Sequence, residues 1–126
     1  MPSDPRRDRG ALGEAIAARH LEHRGYTILV RNHRTRLGEL DLIAADDRAL
    51  VFCEVKTRVV GGRSGPDGPL DAIGPQKQRR LRALAREWLA GDADRPWRPE
   101  LRFDAIGVLL AADGSLLTLE HVEAAF

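Results

Sequence analysis

Two runs of sequence decide the fold, LGELDLIAA at residues 37–45 and ALVFCEVKT at residues 49–57, separated by the polar tripeptide DDR. Both runs alternate apolar and polar residues, which is the pattern of β-strands that pack one face on a core. Because only three polar residues separate the runs, we predict that they form the two strands of a β-hairpin.

The first hairpin strand carries two acidic residues that are two positions apart. Glu39 and Asp41 should therefore point one way, while Leu40 and Leu42 point the other way. On the second strand a glutamate and a lysine share a face in the same manner, opposite the apolar residues. If the strands pair, we expect a carboxylate from each to meet near one end of the hairpin, with a lysine beside them.

Carboxylates gathered at a strand end repel one another, and partial burial removes the water that would screen them. A divalent cation resolves this conflict, and oxygen ligands suit Mg²⁺ or Mn²⁺ better than zinc. Lys56, two residues after Glu54, would place a cation near an attacking water or a developing phosphorane charge. The alternative is a set of cross-strand salt bridges on a solvated sheet face. Gly-Glu-x-Asp together with Glu-x-Lys on adjacent strands favours the metal site.

Around the hairpin, the chain adds two helices and further strands. The predicted elements are a flexible tail at 1–10, a helix at 11–24, a strand at 26–31, a turn at 32–36, a helix at 76–90, and strands at 101–110 and 115–120. Residues 59–75 are rich in glycine and proline and are predicted to form a mobile loop. The order α-β-β-β-α-β-β predicts a single α/β domain at 11–126, with a mixed sheet flanked by helices.

Length and composition fit a globular protein of one domain, with 126 residues, 43% hydrophobic and 31% charged. The single cysteine, Cys53, excludes an intramolecular disulfide and lies in an apolar run, where a small core residue is expected. No apolar stretch approaches the length of a membrane span, and no signal peptide is evident. We therefore expect a cytoplasmic protein that does not enter the membrane.

The distribution of basic residues is more informative than the net charge of +1. Arginines gather in groups, which permits a face that binds a polyanion, although an ordinary solvated surface would look the same. On the second helix Lys77 precedes the apolar stripe by one turn and could reach over the sheet end near Glu54 and Lys56. The candidate nucleic-acid-binding residues are Arg34, Arg36, Arg58, Lys77, Arg79, Arg80 and Arg82.

Three other kinds of polar residue leave their roles open. Glu14 could face the sheet from the first helix, but its position in an early turn is equally typical of a glutamate stabilised by the helix dipole, which we prefer from the residues alone. Asp104 interrupts an apolar strand and suits a buried hydrogen-bonding group or a partner for an arginine. The histidines at positions 20, 23, 33 and 121 show no ligand spacing, so they are assigned no chemistry.

With these residues identified, the chain resembles the YraN-like family of small bacterial proteins of uncertain function over nearly its whole length. The matching motifs are Gly13-Glu14, Gly25-Tyr26, Arg31-Asn32, Gly38-Glu39-Leu40-Asp41-Leu42-Ile43, Phe52-Cys53-Glu54-Val55-Lys56-Thr57-Arg58, Lys77, Arg80-Leu81 and Arg102-Phe103-Asp104. That family is similar to archaeal Holliday-junction resolvases and to the PD-(D/E)xK nuclease superfamily. The resemblance implies a restriction-endonuclease-like α-β-β-β-α-β core, here followed by a short final strand.

The resemblance also implies a site and an activity. Asp41, Glu54 and Glu14 would ligate Mg²⁺ or Mn²⁺, and Lys56 would orient water or stabilise charge. Auxiliary positions are Glu39 and Lys77. The implied reaction is phosphodiester hydrolysis of DNA, with branched or junction DNA as the expected substrate and a homodimer as the expected assembly. A non-catalytic nucleic-acid-binding or adaptor protein with the same fold is the alternative, and a plain interaction domain is a third reading.

Overall fold

The computed structural model describes residues 5–61, 73–91 and 94–126. The elements are α1 (Pro5–His23), β1 (Thr27–Thr35), β2 (Gly38–Ala45), β3 (Ala49–Val59), α2 (Pro75–Gly91), β4 (Glu100–Leu110) and β5 (Leu116–Val122). This order confirms the predicted succession of helices and strands. Most of the expected mobile loop, residues 62–72, lies outside the described residues.

The five strands form one mixed sheet in the order β1-β2-β3-β4-β5. β2 and β3 are the predicted antiparallel hairpin. At its turn Oδ1 of Asp46 accepts hydrogen bonds from the backbone N–H groups of Arg48 and Ala49, at 2.9 and 2.8 Å. β3 and β4 are parallel, as their connection through α2 allows, since parallel neighbours need a long crossover. β4 and β5 are antiparallel and complete the sheet.

The two faces of the sheet bury separate hydrophobic clusters, one under each helix. On the face that α1 covers, Leu21 packs with alternate β3 residues, including Val51 and Cys53. On the other face Phe52 packs against Leu84 and other buried residues of α2. Fully burying one such side chain contributes about 1.5–3 kcal/mol. We expected β3 to have one apolar and one polar face. Instead, both faces of this strand are apolar up to Cys53, because each packs under a helix.

α1 begins at Pro5, six residues before the predicted start, so residues 5–10 are helical rather than part of a flexible tail. Proline suits the first position of a helix, where its missing N–H removes no hydrogen bond. Asp8 then lies in the first turn, where a negative charge complements the helix dipole. No helix in the described part of the chain is long and apolar enough to cross a lipid bilayer.

β1 continues to Thr35, through residues 32–35 that were predicted to form a turn. These residues pair with β2 as far as Thr35 opposite Gly38. The prediction was wrong because β1 is an edge strand whose second half is largely exposed, and so it contains polar residues without apolar alternation. The hairpin between β1 and β2 is consequently longer, and it carries Glu39 towards the site described below.

Candidate functional site

Three carboxylates from α1 and β2 form an acidic cluster, defined as Glu14, Glu39 and Asp41. One carboxylate oxygen from each lies within 4.8 Å of the corresponding oxygens of the other two. All three side chains are partly exposed, so the cluster is accessible from solvent. The structure thus brings together two residues that the strand pattern placed on one face and a third from the first helix.

Asp41 reaches this cluster because the regular alternation of β2 breaks at its position. Leu40 packs in the cluster under α2, whereas Leu42 packs in the cluster under α1. The pairing of β2 with β3 ends at Leu42 opposite Cys53. Beyond that point Oδ2 of Asp41 accepts a hydrogen bond from the backbone N–H of Val55 at 2.8 Å. The prediction that Leu40 and Leu42 share one face is therefore wrong. The Asp41 side chain accepts the hydrogen bond that the backbone of β2 would accept in a regular strand pair.

The charge state of Asp41 reflects this crowded position. Burial, followed by the negative charge of Glu54, raises the pKa of Asp41 to about 8, and the charges of Glu14 and Glu39 add to the effect. The pKa of Glu14 is also raised, by burial and then by Glu39. Hydrogen bonding between the Glu14 and Asp41 side chains partly opposes that rise. A carboxyl group that holds its proton near neutral pH beside two others is the arrangement that a divalent cation would relieve, so the donor set fits Mg²⁺ or Mn²⁺.

Glu14 is placed by the close approach of α1 to β3 at the preceding residue. A Cβ atom added to Gly13 would collide with Oγ1 of Thr57 on β3. Only glycine lets the helix backbone lie against the strand at this point. Gly13 therefore permits the close contact between α1 and β3, and this contact places the carboxylate of Glu14 near the sheet. This decides between the two roles left open for Glu14, because its side chain faces the acidic cluster.

Asn32 is a residue of this site that the sequence reasoning did not single out. It lies on β1 between Arg31 and His33, which pair with Leu42 and Leu40 on either side of Asp41. Its φ of 52° is in the left-handed region, which asparagine tolerates better than most residues. A hydrogen bond with the Asn32 side chain lowers the pKa of Glu14. The signal in the sequence was the Arg31-Asn32 motif, which was noted only as part of the resemblance.

Glu54 does not belong to the acidic cluster, although it is close enough for its charge to act on Asp41. Its Oε1 atom lies 2.5 Å from Nζ of Lys77, near the start of α2. The Glu54 side chain is 14% exposed and that of Lys77 37% exposed. Lys77 therefore reaches the sheet end as its position suggested. The expected convergence of Asp41, Glu54 and Glu14 is found for Asp41 and Glu14, with Glu39 as the third member.

Lys56 is exposed and lies one residue beyond Val55, the residue that binds Asp41. It lines a small cleft of about 140 Å³ formed by β3, β4 and β5, together with Arg58 and Glu120. Its predicted part in orienting water or stabilising charge stays a prediction.

The candidate nucleic-acid-binding residues lie on β1, in the β1–β2 turn, on β3 and on α2. Nε of Arg34 lies 3.5 Å from Oε1 of Glu39, and Arg36 is exposed in the turn between β1 and β2. The side chain of Arg80 covers Gly38, since a Cβ there would meet Cδ of Arg80 at 3.1 Å. Two further candidates, Arg79 and Arg82, are exposed on α2. We call Arg34, Arg36 and Arg80 the rim residues, of which Arg34 contacts Glu39 of the acidic cluster.

A buried polar network crosses the sheet face under α1. Asp104, which is fully buried, accepts two hydrogen bonds from Arg102, at 2.8 and 2.9 Å, and contacts Nε2 of His121 at 2.7 Å. Arg102 also donates to the Tyr26 hydroxyl at 2.6 Å, and His121 contacts His20 at 3.0 Å. The expected structural role of Asp104 is confirmed. Spacing could not reveal the histidine pair, because its members are 101 residues apart.

Comparison with known proteins gives a family without an assigned activity. The profile of the Uncharacterised protein family UPF0102 matches residues 13–108, which include every member of the acidic cluster. A UPF0102 protein of Anaeromyxobacter dehalogenans is 43% identical over 98% of this chain and 87% of its own length. One from Rhodococcus jostii is 46% identical over 93% and 94%, and one from Mycobacterium avium is 52% identical over 79% and 75%.

Proposed function

We propose that this chain, which belongs to the uncharacterised family UPF0102, is a metal-dependent endonuclease that hydrolyses phosphodiester bonds in DNA. The observation that supports this most is the acidic cluster itself, which joins a helix carboxylate to two strand carboxylates and in which the pKa of Asp41 is raised to about 8. Basic side chains at its rim suit a substrate that brings phosphates to it.

In this proposal Glu14, Glu39 and Asp41 hold Mg²⁺ or Mn²⁺. A bound divalent cation would polarise a phosphate oxygen and ease attack by water at neutral pH. The hydrogen bond from the Val55 N–H fixes one oxygen of Asp41, so this carboxylate is oriented before any ligand arrives. The side-chain hydrogen bond with Asn32 would help to orient Glu14.

The remaining charged residues act on the substrate. Lys56 would orient water or stabilise the negative charge that develops on the phosphate. Glu54 is a further candidate ligand whose carboxylate is paired with Lys77. The rim residues Arg34, Arg36 and Arg80 would contact flanking phosphates. Branched DNA as substrate and a two-fold dimer are parts of the proposal that rest on the resemblance to junction resolvases.

The test is cleavage of a four-way junction, a plain duplex and a single strand in Mg²⁺ or Mn²⁺. We expect strand cleavage that needs the metal and falls at least about 100-fold in Asp41→Asn and in Glu14→Gln, since each removes a ligand charge. Glu22→Gln is the matched control, because Glu22 is an exposed glutamate on the same helix. If pure protein cleaves no form of DNA or RNA with either metal, the proposed activity is wrong.

A second candidate is a nucleic-acid-binding or adaptor protein that does not cut. The Glu54–Lys77 pair favours it, because one of the expected metal ligands is occupied by a basic side chain. This reading predicts DNA binding that falls steeply with salt and is unchanged in Asp41→Asn, without strand cleavage.

A further inference from the structure

A second cleft, of about 340 Å³, lies between the C-terminal half of α2 and the start of β4. Its volume is at the lower end of the range for small-molecule sites and suits a group about the size of a nucleotide. Its lining combines apolar side chains with arginines. The apolar part includes Leu89, Leu101 and Phe103, and the basic part includes Arg82 and Arg86.

The aromatic wall of this cleft is held by ring contacts. Phe103 stacks on buried Phe52 with centroids 5.3 Å apart and an interplanar angle of 29°, and Phe126 lies 5.1 Å from Phe103. The Arg82 guanidinium lies 4.9 Å from the centre of the Phe103 ring and 5.7 Å from that of Phe126. The cleft therefore has a flat wall whose position is set by the core, with a cation already stacked on it.

The two α2 arginines at the cleft differ from Arg102, which is held by Asp104. Within residues 5–61, 73–91 and 94–126, neither Arg82 nor Arg86 forms a salt bridge, and both are exposed. Exposed cations beside a flat apolar wall complement a ligand that has a planar ring and a negative charge. A nucleotide has both, and bases stack on aromatic or guanidinium planes regardless of sequence.

α2 runs from the Glu54–Lys77 pair to this cleft. Lys77 lies at the end of the helix near Glu54, and Arg86 lies nine residues later, about 14 Å away at about 1.5 Å per residue. A DNA strand that runs along α2 from the Glu54–Lys77 pair would therefore pass the cleft.

We propose that the cleft is a nucleobase-binding site, which takes an unpaired base of a DNA strand. That the strand is DNA rests on the proposed function. A base inside a continuous duplex stays stacked on its neighbours, so this site selects DNA with unpaired nucleotides beside a duplex, such as a branch or a frayed end. The substrate class of the proposed nuclease would then be DNA in which unpaired nucleotides adjoin a duplex.

The binding test uses a short oligothymidylate with one 2-aminopurine, in EDTA so that no cleavage is needed. Stacking on the cleft should quench the fluorescence, and an oligonucleotide with an abasic site at the same position should bind about fivefold or more weakly. Phe103→Leu and Arg82→Gln should each weaken binding by a similar factor, whereas Arg19→Gln, an exposed arginine on α1, should not. Arg82→Gln tests the site without altering the buried ring stack.

Equal affinity for the abasic and the complete oligonucleotide would overturn the proposal, as would wild-type binding by both cleft variants. A dimer that dissociates in Phe103→Leu without any dependence on the base would show that the cleft is an interface between copies of the chain, which also overturns it. Base-dependent binding by a protein that cleaves nothing would support the cleft and reject the nuclease. Cleavage without base-dependent binding would do the reverse.

Discussion

The Nζ atom of Lys77 lies 2.5 Å from Oε1 of Glu54, so a basic side chain from α2 neutralises one carboxylate at the edge of the acidic cluster. Glu54 still raises the pKa of Asp41, which shows that its charge is felt within the cluster. Lys77 consequently opposes the accumulation of negative charge that a divalent cation would stabilise. Lys77 and a bound divalent cation are therefore alternative ways of compensating the same negative charge.

Lys77→Met should therefore increase the affinity for Mn²⁺ while weakening the binding of DNA. Because Lys77 is partly exposed, solvent screens it, and we expect a gain in Mn²⁺ affinity of about two- to fivefold. Calorimetric titration with Mn²⁺ measures the first effect, and fluorescence anisotropy with labelled DNA in EDTA measures the second. Arg79→Met, an exposed cation on the same helix, should leave Mn²⁺ affinity unchanged. Weaker Mn²⁺ binding in Lys77→Met would contradict this account.

Gly13→Ala should destabilise the protein although alanine normally favours a helix. The added Cβ would collide with Thr57, so α1 must move away from β3 and take Glu14 with it. We expect a loss of about 1–3 kcal/mol in the free energy of unfolding and weaker Mn²⁺ binding. Urea unfolding and calorimetry measure these two effects.

Gly10→Ala is the matched control, because no atom lies within 4 Å of a Cβ at that helical position. It should gain up to about 1 kcal/mol from helix propensity alone. Thr57→Ala combined with Gly13→Ala should recover part of the loss by removing Oγ1. If both glycine variants behave alike, the close approach of α1 to β3 is not what places Glu14.

The sequence was sufficient to predict the hairpin, because two largely apolar, strand-like runs are separated by only three polar residues. It could not predict the break in alternation at Asp41. That break depends on the backbone N–H of Val55, which donates to the Asp41 side chain instead of to the backbone of β2. The polar half of β1 was missed because exposed edge residues carry no periodic signal. The His20–His121 pair joins α1 to β5, a contact that only the tertiary fold creates.

The candidate site was predicted in part for similar reasons. Strand alternation placed Glu39 beside Asp41, and the cluster contains both. Glu14 required the family resemblance, since a helix position alone does not show which strand end a carboxylate will face. The contact between Glu54 and Lys77 followed from the helical spacing of Lys77 before the apolar stripe. Asn32 escaped prediction because neither its positive φ nor its side-chain contact with Glu14 follows from strand alternation.

The substitution Asn32→Gly separates the backbone conformation of Asn32 from its side-chain contact with Glu14. Glycine accepts a φ of 52° without strain but lacks the amide that contacts Glu14. We expect stability within about 1 kcal/mol of the parent protein and Mn²⁺ affinity reduced by about threefold or more. Asn32→Val should instead lose about 1–2 kcal/mol or more, since a β-branched residue is strained at positive φ. Parental Mn²⁺ affinity in Asn32→Gly would show that Asn32 does not position Glu14.

The affinity for Mn²⁺ should rise with pH up to about 8. The pKa of Asp41 is raised to about 8 by burial and then by neighbouring carboxylates, so below that pH a cation must displace a proton. Calorimetry in buffers of different ionisation enthalpy should detect about one proton released for each ion bound near pH 7. Asp41→Asn should bind weakly with little dependence on pH. Constant affinity between about pH 6 and 8 would contradict the raised pKa.

The same shift affects the stability of the protein without metal. A carboxyl group whose pKa is raised on folding contributes stability that is present below its ordinary value of 3.8 and is lost as pH rises through about 8. The free energy of unfolding in EDTA should therefore decrease over this range. The decrease should be smaller in Asp41→Asn, which urea titrations at several pH values would measure.

Asp104 should show the opposite dependence on pH. Burial alone would raise its pKa, but hydrogen bonds from His121, Arg102 and the Ala124 N–H hold it below 3.8. Its contribution to stability is therefore present above 3.8 and is lost as pH falls through the lower folded-state pKa. Asp104→Asn removes the charge of a fully buried carboxylate that pairs with the partly exposed Arg102, and it should cost about 3 kcal/mol at neutral pH.

The difference in unfolding free energy between Asp104→Asn and the parent protein should then shrink as the pH is lowered below that value, because the parent carboxylate becomes protonated as well. Urea unfolding between about pH 2 and 7 measures it. Asp47→Asn, at an exposed position in the β2–β3 turn, should match the parent throughout. A difference that does not vary with pH would mean that packing, rather than the charge of Asp104, stabilises the network of Arg102 and His121.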